Sequence, residues 1–363
     1  MAIYPNSLDP RTLITIDDAV LNEIPVQFGR FDNSGLFAKS GITTQDYGFQ
    51  FSPLTDDKMT GATSRLERDA WKVSQAKKKR VALSGASFKL TDSVQYEDLA
   101  FRVNDWQALD PMAREMTVAE AVAEKLPVMM RAMQQNKEYL ALTALQGVMK
   151  DPEDGSDLIN MLTVTGASRL THTIDLTAAT GVIAAITELV NKVQAAQVYG
   201  SGFTGLEVVV ADDVFPKLAN HPEIIAIYEN AMSGRGQEYI NSPWLSGRVN
   251  EKNRSIYGFV QSLVINGVTF TTYSQKFKRF DNSLVSAVAS GKGFTVLQGA
   301  TGLYQAKFVP APYISMLGTQ GQEMYVWQTP VKDDTHFEIY AESHPLYFMQ
   351  QPELSVDITF TIA

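Results

Sequence analysis

Four consecutive cations, Lys77, Lys78, Lys79 and Arg80, sit in the stretch DAWKVSQAKKKRVALSG at residues 69 to 85, with Trp71 just upstream. Adjacent like charges repel one another and seek water, a polyanion or an acidic protein surface. Nucleic acid would be held through phosphate neutralisation, with a steep dependence on salt. An acidic patch on a neighbouring protein would be held through complementary charge. A lysine-rich strand edge also discourages unwanted strand pairing. Lys plus Arg total 31 against 40 Asp plus Glu, a net charge of -9, so the chain as a whole lacks the electrostatic footprint of a nucleic-acid binder. That balance favours assembly over nucleic-acid binding as the use of the run, and marks Trp71, Lys77, Lys78, Lys79 and Arg80 as contact candidates.

Other residues capable of chemistry are scattered. His172, His221, His336 and His344 fall in separate segments, and only His336 and His344 are close in sequence, on what should be neighbouring strand ends. That pair is a weak metal signature, and structural roles explain it more simply. Met129, Met130 and Met133 have helical spacing and read as core filling rather than a soft ligand set. Asp151, Asp154 and Asp157 do not follow the one-three-five spacing of a calcium loop. The acid pairs Asp212/Asp213 and Asp333/Asp334 sit in turn-like text, where solvation or capping accounts for them. Phosphate-binding, dinucleotide, zinc-protease and nucleophile-elbow signatures are missing, and there is no cysteine. No catalytic residue, metal or cofactor is expected, and an enzyme is the least favoured reading.

The elements that must position the cations follow from periodicity. Residues 1 to about 48 are rich in Asn, Asp, Gly and Pro and read as an extended arm. Trp71 and Val73, Val81 and Leu83, and Phe88 and Leu90 stand two apart, which predicts a two-stranded excursion over 50 to 95 with the cations at or near its tip. Val118, Val122, Leu126, Met129, Met133, Leu140, Ala144 and Val148 form one apolar stripe, predicting a long helix with Thr117 as N-cap, Glu120 as its capping-box partner and Pro127 as a kink or restart. DPEDGSDL, residues 151 to 158, reads as a loop, Ala178 to about Val198 as a second amphipathic helix, and LEVVVADD as a buried strand. Short helical pieces broken by Pro216 and Pro222 follow, then strands in GVTFTTYSQKF, KGFTVLQG and EMYVWQTP, and two more after His336. The 45% apolar and 20% charged content is that of a folding chain, and neither a signal-peptide start nor a long apolar run occurs.

Three stretches together resemble the major capsid proteins of tailed bacteriophages, in the branch related to the phage lambda capsid protein. YEDLAFRVND running through ALDPM into the long helix is similar to that family's junction of extended loop and spine helix. GKGFTVLQGATGLYQAKF is similar to the strand and turn before its C-terminal region. MYVWQTPVKDDTHFEIYAESHPLYFMQQPELSV resembles its ending: an aromatic strand, an Asp-rich turn, a polar-Ser-x-Pro-Leu element and a closing strand. The likeness spans roughly residues 45 to 363 and rests on the order of elements more than on identities.

The resemblance implies an α+β chain of the Hong Kong 97-type capsid fold. It places an N-terminal arm at 1–48, an extended loop at 49–95, a peripheral domain with the spine helix at 96–165, a mainly axial domain at 166–310, and C-terminal strands returning to the peripheral domain at 311–363. It implies a major capsid protein that self-assembles as hexamers and pentamers into an icosahedral virion shell around double-stranded DNA. Assembly would take place in the bacterial host cytoplasm, with a scaffold, a portal and a decoration protein as partners and no membrane. The text begins almost directly with the arm, implying a mature form or a separate scaffold. An encapsulin-type nanocompartment shares the fold and stands as the alternative, with a soluble enzyme behind it.

Overall fold

The computed structural model describes residues 29–44, 46–51, 79–100, 111–196, 202–232, 262–279, 281–300, 302–330 and 336–362. In chain order the first strands are β1 (Ala38–Gly41), β2 (Asp46–Phe51), β3 (Lys79–Ser84) and β4 (Phe88–Gln95). Helices α1 (Tyr96–Ala100) and α2 (Pro111–Leu145) precede β5 (Val148–Lys150), β6 (Asp157–Asn160), α3 (Met161–Thr165) and β7 (Leu170–Asp175). Then come α4 (Val182–Ala196), β8 (Gly205–Val210), α5 (Val214–Ala219), α6 (Pro222–Met232), β9 (Ser262–Ile265), β10 (Val268–Thr272), β11 (Lys276–Lys278) and β12 (Leu284–Ser286). The chain closes with β13 (Lys292–Gln298), β14 (Tyr304–Phe308), β15 (Tyr325–Pro330), β16 (His336–Ser343), β17 (Pro345–Met349) and β18 (Val356–Thr361).

The long helix begins six residues before the expected N-cap. Pro111 occupies its first position, where the missing N–H costs nothing and the fixed φ is already helical, so Thr117 lies inside the helix rather than capping it. Pro127 is also internal, and α2 continues through it. At 1.5 Å per residue its 35 residues reach about 52 Å. Val122, Leu126, Met129, Met133, Leu140 and Ala144 are buried, as the stripe predicts, while Val148 has already left the helix for β5. From Lys137 to Leu145 every side chain is buried, because this end of α2 is enclosed by β5 and β17.

Strands β15, β16 and β4 form one antiparallel sheet in the order β15-β16-β4. Side chains alternate across it, so Leu90, Val94, Val326, Ile339 and Ala341 face the first half of α2 and make a core with Ala121, Val122, Leu126, Met129 and Met133. The six-stranded sheet has the order β7-β18-β13-β8-β10-β9. Its middle strand β8, GLEVVV, is buried from Leu206 to Val210, in keeping with a continuous apolar run. Helix α4 lays Val182, Ile186, Leu189 and Val193 into the same core. Its N-terminus is capped from outside: the Glu223 carboxylate accepts the backbone N–H groups of Gly181, Val182 and Ile183.

Three expectations change. Residues 50 to 95 are not one two-stranded excursion: β3 pairs with β2, from Asp46↔Ser84 to Phe51↔Lys79, whereas β4 turns away after Gly85 to join the sheet on α2. The cause is the apolar face of Leu90 and Val94, which packs in the core on α2, with Phe88 at its start touching both that core and the larger one. The stretch after His336 yields three strands, since the chain crosses between sheets at His344. The last of them, β18, pairs with β13 and β7 in the six-stranded sheet, so 311–363 does not return as a block to the neighbourhood of α2.

Candidate assembly site

Lys79 and Arg80 are the first two residues of β3, opposite Phe51 and Gln50 on β2. They therefore lie at the far end of the described ladder. Trp71, Lys77 and Lys78 lie outside the described residues, as do Asp333 and Asp334. The ribbon's strands pair with no third strand among the described residues.

The segment leading into the ribbon is fixed to the body by buried charge. Glu138, fully buried on α2, accepts the backbone N–H of Phe31 at 3.0 Å, that of Asp32 at 2.9 Å and the Tyr273 hydroxyl at 2.7 Å. Burial pushes its carboxyl above the usual range, against the pull of those three donors. Next to it, two carboxylates and two ammonium groups alternate in a ring. Lys39 lies 3.1 Å from Asp32 and 3.3 Å from Glu323, and Lys137 lies 3.9 Å from Asp32 and 2.9 Å from Glu323. Tyr347 donates its hydroxyl to Asp32 at 2.6 Å. Burial alone would raise the Asp32 and Glu323 carboxyls, but Lys137 and Lys39 together hold both below the usual range. Arg30 completes the anchor: it bonds Glu207, inside the buried strand β8, and donates to Thr272 O at 3.1 Å and Thr271 Oγ1 at 3.0 Å. Glu207 also accepts Thr271 Oγ1 and Gln298 Nε2, each at 2.5 Å. The segment of residues 30–39 is thus tied to α2, to β8 and β10, and to Glu323 and Tyr347.

None of these residues was singled out by pattern reading, although two signals were present. Lys137 stands on the stripe between Met133 and Leu140, and Glu207 interrupts an unbroken apolar strand. A charge on a buried face must have a partner.

His172 and His221 are buried and hydrogen-bonded within the fold. His172 Nε2–H donates to Ala185 O at 2.9 Å while Nδ1 accepts from Lys192 Nζ at 3.1 Å, a tautomer assigned from its partners. His221 Nε2 meets Ala178 O at 2.7 Å. His336 and His344 stand at opposite ends of β16, roughly 26 Å apart at strand rise, so they do not share a ligand. Asp212 accepts Ser274 Oγ and Asp213 accepts Ser290 Oγ and the Gly291 N–H, long-range contacts in place of the solvation or capping expected, and Asp213 stands at the N-cap of α5 without a side-chain capping bond. Among the described residues no group of three His, Asp or Glu is placed to hold a metal ion, and no helix is long and apolar enough to cross a membrane. A hollow between α2 and β11, lined by Gln135, Tyr139, Phe277 and Arg279, has room for little more than one water molecule.

A long helix backed by one sheet, a second mixed sheet and a paired ribbon is the architecture of the viral shell subunits of the Hong Kong 97 type. A crystal structure described as a prophage capsid protein of E. coli CFT073 superposes with a TM-score of 0.56 at 11% identity, covering 94% of this chain and 96% of that one. The mature capsid asymmetric unit of bacteriophage PhiM1 is also similar, with a TM-score of 0.47 at 10% identity, covering 90% of this chain and 85% of that one.

The chain belongs to the phage major capsid protein E family, whose model matches residues 18–360. The major capsid protein of Salmonella phage Felix O1 is 24% identical over 354 residues, covering 93% of each chain. The protein is therefore a major capsid protein that forms the shell of a phage virion, a structural protein and not an enzyme.

Proposed function

We propose that this subunit assembles as hexamers and pentamers into an icosahedral shell enclosing double-stranded DNA, with residues 1–48 as an arm and the ribbon of β2 and β3 as the extended loop that lies on a neighbouring copy. The observation that carries this reading is that the ribbon joins no larger sheet among the described residues. Leu83 and Tyr47 seat its base on the subunit's own core, and a two-stranded sheet extending from such a base is marginal in water, so a neighbouring copy is the surface that would steady it. The rigid charge anchor at Glu138 and Asp32 supports the same reading, because it fixes the point from which the ribbon departs.

In this arrangement the body around α2 is the peripheral domain and the six-stranded sheet the axial one. Trp71 and Lys77 to Arg80 meet an acidic patch of the next copy. Exposed ion pairs contribute about 0–1 kcal/mol each, yet symmetry repeats every contact around a closed shell. DNA is held by enclosure without sequence-specific binding, consistent with a net charge of -9. Scaffold, portal and decoration proteins complete the partner set.

Replacing Lys77, Lys78, Lys79 and Arg80 with Ser tests the reading. The expected outcome is a folded subunit with a much reduced yield or thermal stability of shells, followed by electron microscopy. Shells of normal yield and melting behaviour would refute the role of the cations. Steeply salt-dependent DNA binding by the isolated subunit, lost in the same variant, would replace it with the nucleic-acid reading.

A further inference from the structure

The sheet of β15, β16 and β4 has one face packed on α2; on its other face Tyr313 meets Glu342 and Trp327, and the turn that follows Tyr313 is exposed. That turn, a 3-10 element at Ile314–Met316, displays the two most exposed large apolar side chains among the described residues, Ile314 at 96% and Leu317 at 80% exposure. We propose that this turn, with the aromatic stack next to it, is a contact surface for a second copy of the chain; the inference rests on the self-assembly reading above and assigns it a specific patch.

The surface is built to be rigid. Met316 N–H donates to Tyr313 O at 2.9 Å, Thr319 N–H to Met316 O at 3.1 Å, and Gly321 N–H to Ile42 O at 2.8 Å, so both ends of the turn are fixed. Tyr313 binds it to the sheet: its hydroxyl donates to Glu342 Oε1 at 2.7 Å, and its ring meets Trp327 edge-on at 5.2 Å. Trp327 and Tyr340 form a cross-strand pair stacked at 5.4 Å with 16° between planes. Lys89, 2.8 Å from Glu342, lies over both rings at 5.3 and 4.9 Å. Apolar knobs beside half-exposed Trp and Tyr, already ordered and flanked by a cation, have the composition and preorganisation of an interface hot spot. Nothing among the described residues explains leaving Ile314 and Leu317 in water on a braced turn.

The occupant follows from charge. Two copies, each carrying a net charge of -9, repel where acidic surfaces face each other and meet where opposite charges pair or where uncompensated charge is missing. Residues 308 to 322 contain no Asp, Glu, Lys, Arg or His. A differently charged partner would instead be selected by the acidic surface that dominates elsewhere. The neutral turn therefore fits a like-charged neighbour, a second copy of this chain.

The test compares the wild-type subunit with Ile314→Asp/Leu317→Asp and with the conservative Ile314→Val/Leu317→Met, followed by sedimentation velocity and negative-stain microscopy. Both positions are solvent-exposed, so the double Asp variant should keep wild-type circular dichroism. Its shell yield should fall by at least about tenfold, a loss of roughly 1.4 kcal/mol or more in effective contact strength, while the conservative variant assembles normally. A photo-crosslinking amino acid at position 317 should give adducts between two copies of the chain, which tests the contact even if the Asp variant fails to fold. Undiminished assembly of the double Asp variant, or adducts solely with another phage protein, would overturn the proposal and leave self-assembly standing. A wild-type chain that forms no assembly under any condition would overturn both.

Discussion

At the residue scale, the anchor at Glu138 makes the sharpest demand. Glu138→Ala leaves two backbone N–H groups and the Tyr273 hydroxyl without their acceptor in the core. The expected cost is about 3 kcal/mol of subunit stability, measured by urea denaturation. Titration makes a second demand. Burial first, and the Lys192 charge second, hold the His172 imidazole below its ordinary value of 6.5. Neutral His172 accepts from Lys192, and protonation would set an N–H against that ammonium group. Below about pH 6.5 the unfolded chain takes up a proton that the folded chain refuses, so stability falls as pH drops through the window beneath 6.5 and is unaffected by this group above it. His172→Gln should therefore lose less thermal stability than wild type between about pH 7.5 and about pH 5.5. Equal losses would remove His172 as the cause. Of the anchor residues the sequence marked only Lys137 and Glu207, charges on apolar faces. Partners more than one hundred positions away, such as Phe31 for Glu138, leave no local trace.

At the element scale, periodicity located α2, α4, β8 and β13, because each buries one face or both in a core and its spacing records that burial. It misplaced the start of α2, where Pro111 outweighed a plausible capping box, and it joined β3 to β4, since alternation shows that a strand exists but not which strand it pairs with. Close backbone approaches were invisible as well. A Cβ on Gly321 would lie 2.0 Å from Phe308 O, and one on Gly41 the same distance from Gly321 O. Gly321→Ala should thus force the segment after the exposed turn away from β14 and cost about 2 kcal/mol in chemical denaturation, a cost that an unchanged midpoint would refute.

At the scale of the whole molecule, the fold and the family were readable from the order of ribbon, girder helix and closing strands, even where single motifs were weak. The contacts between copies were not, because a shell interface is written in surfaces that one chain leaves incomplete. The cation run drew attention by its charge, whereas the neutral turn at Ile314 carries no local pattern to mark it. The net charge of -9 ties the two together: copies that repel overall need either opposite charge or no charge where they touch.

The most direct test is negative-stain microscopy with sizing chromatography of the purified full-length chain, alone and co-expressed with the phage's own assembly proteins. The account predicts closed shells or rings of identical subunits. A chain that stays a folded monomer at every concentration and in both settings would contradict it.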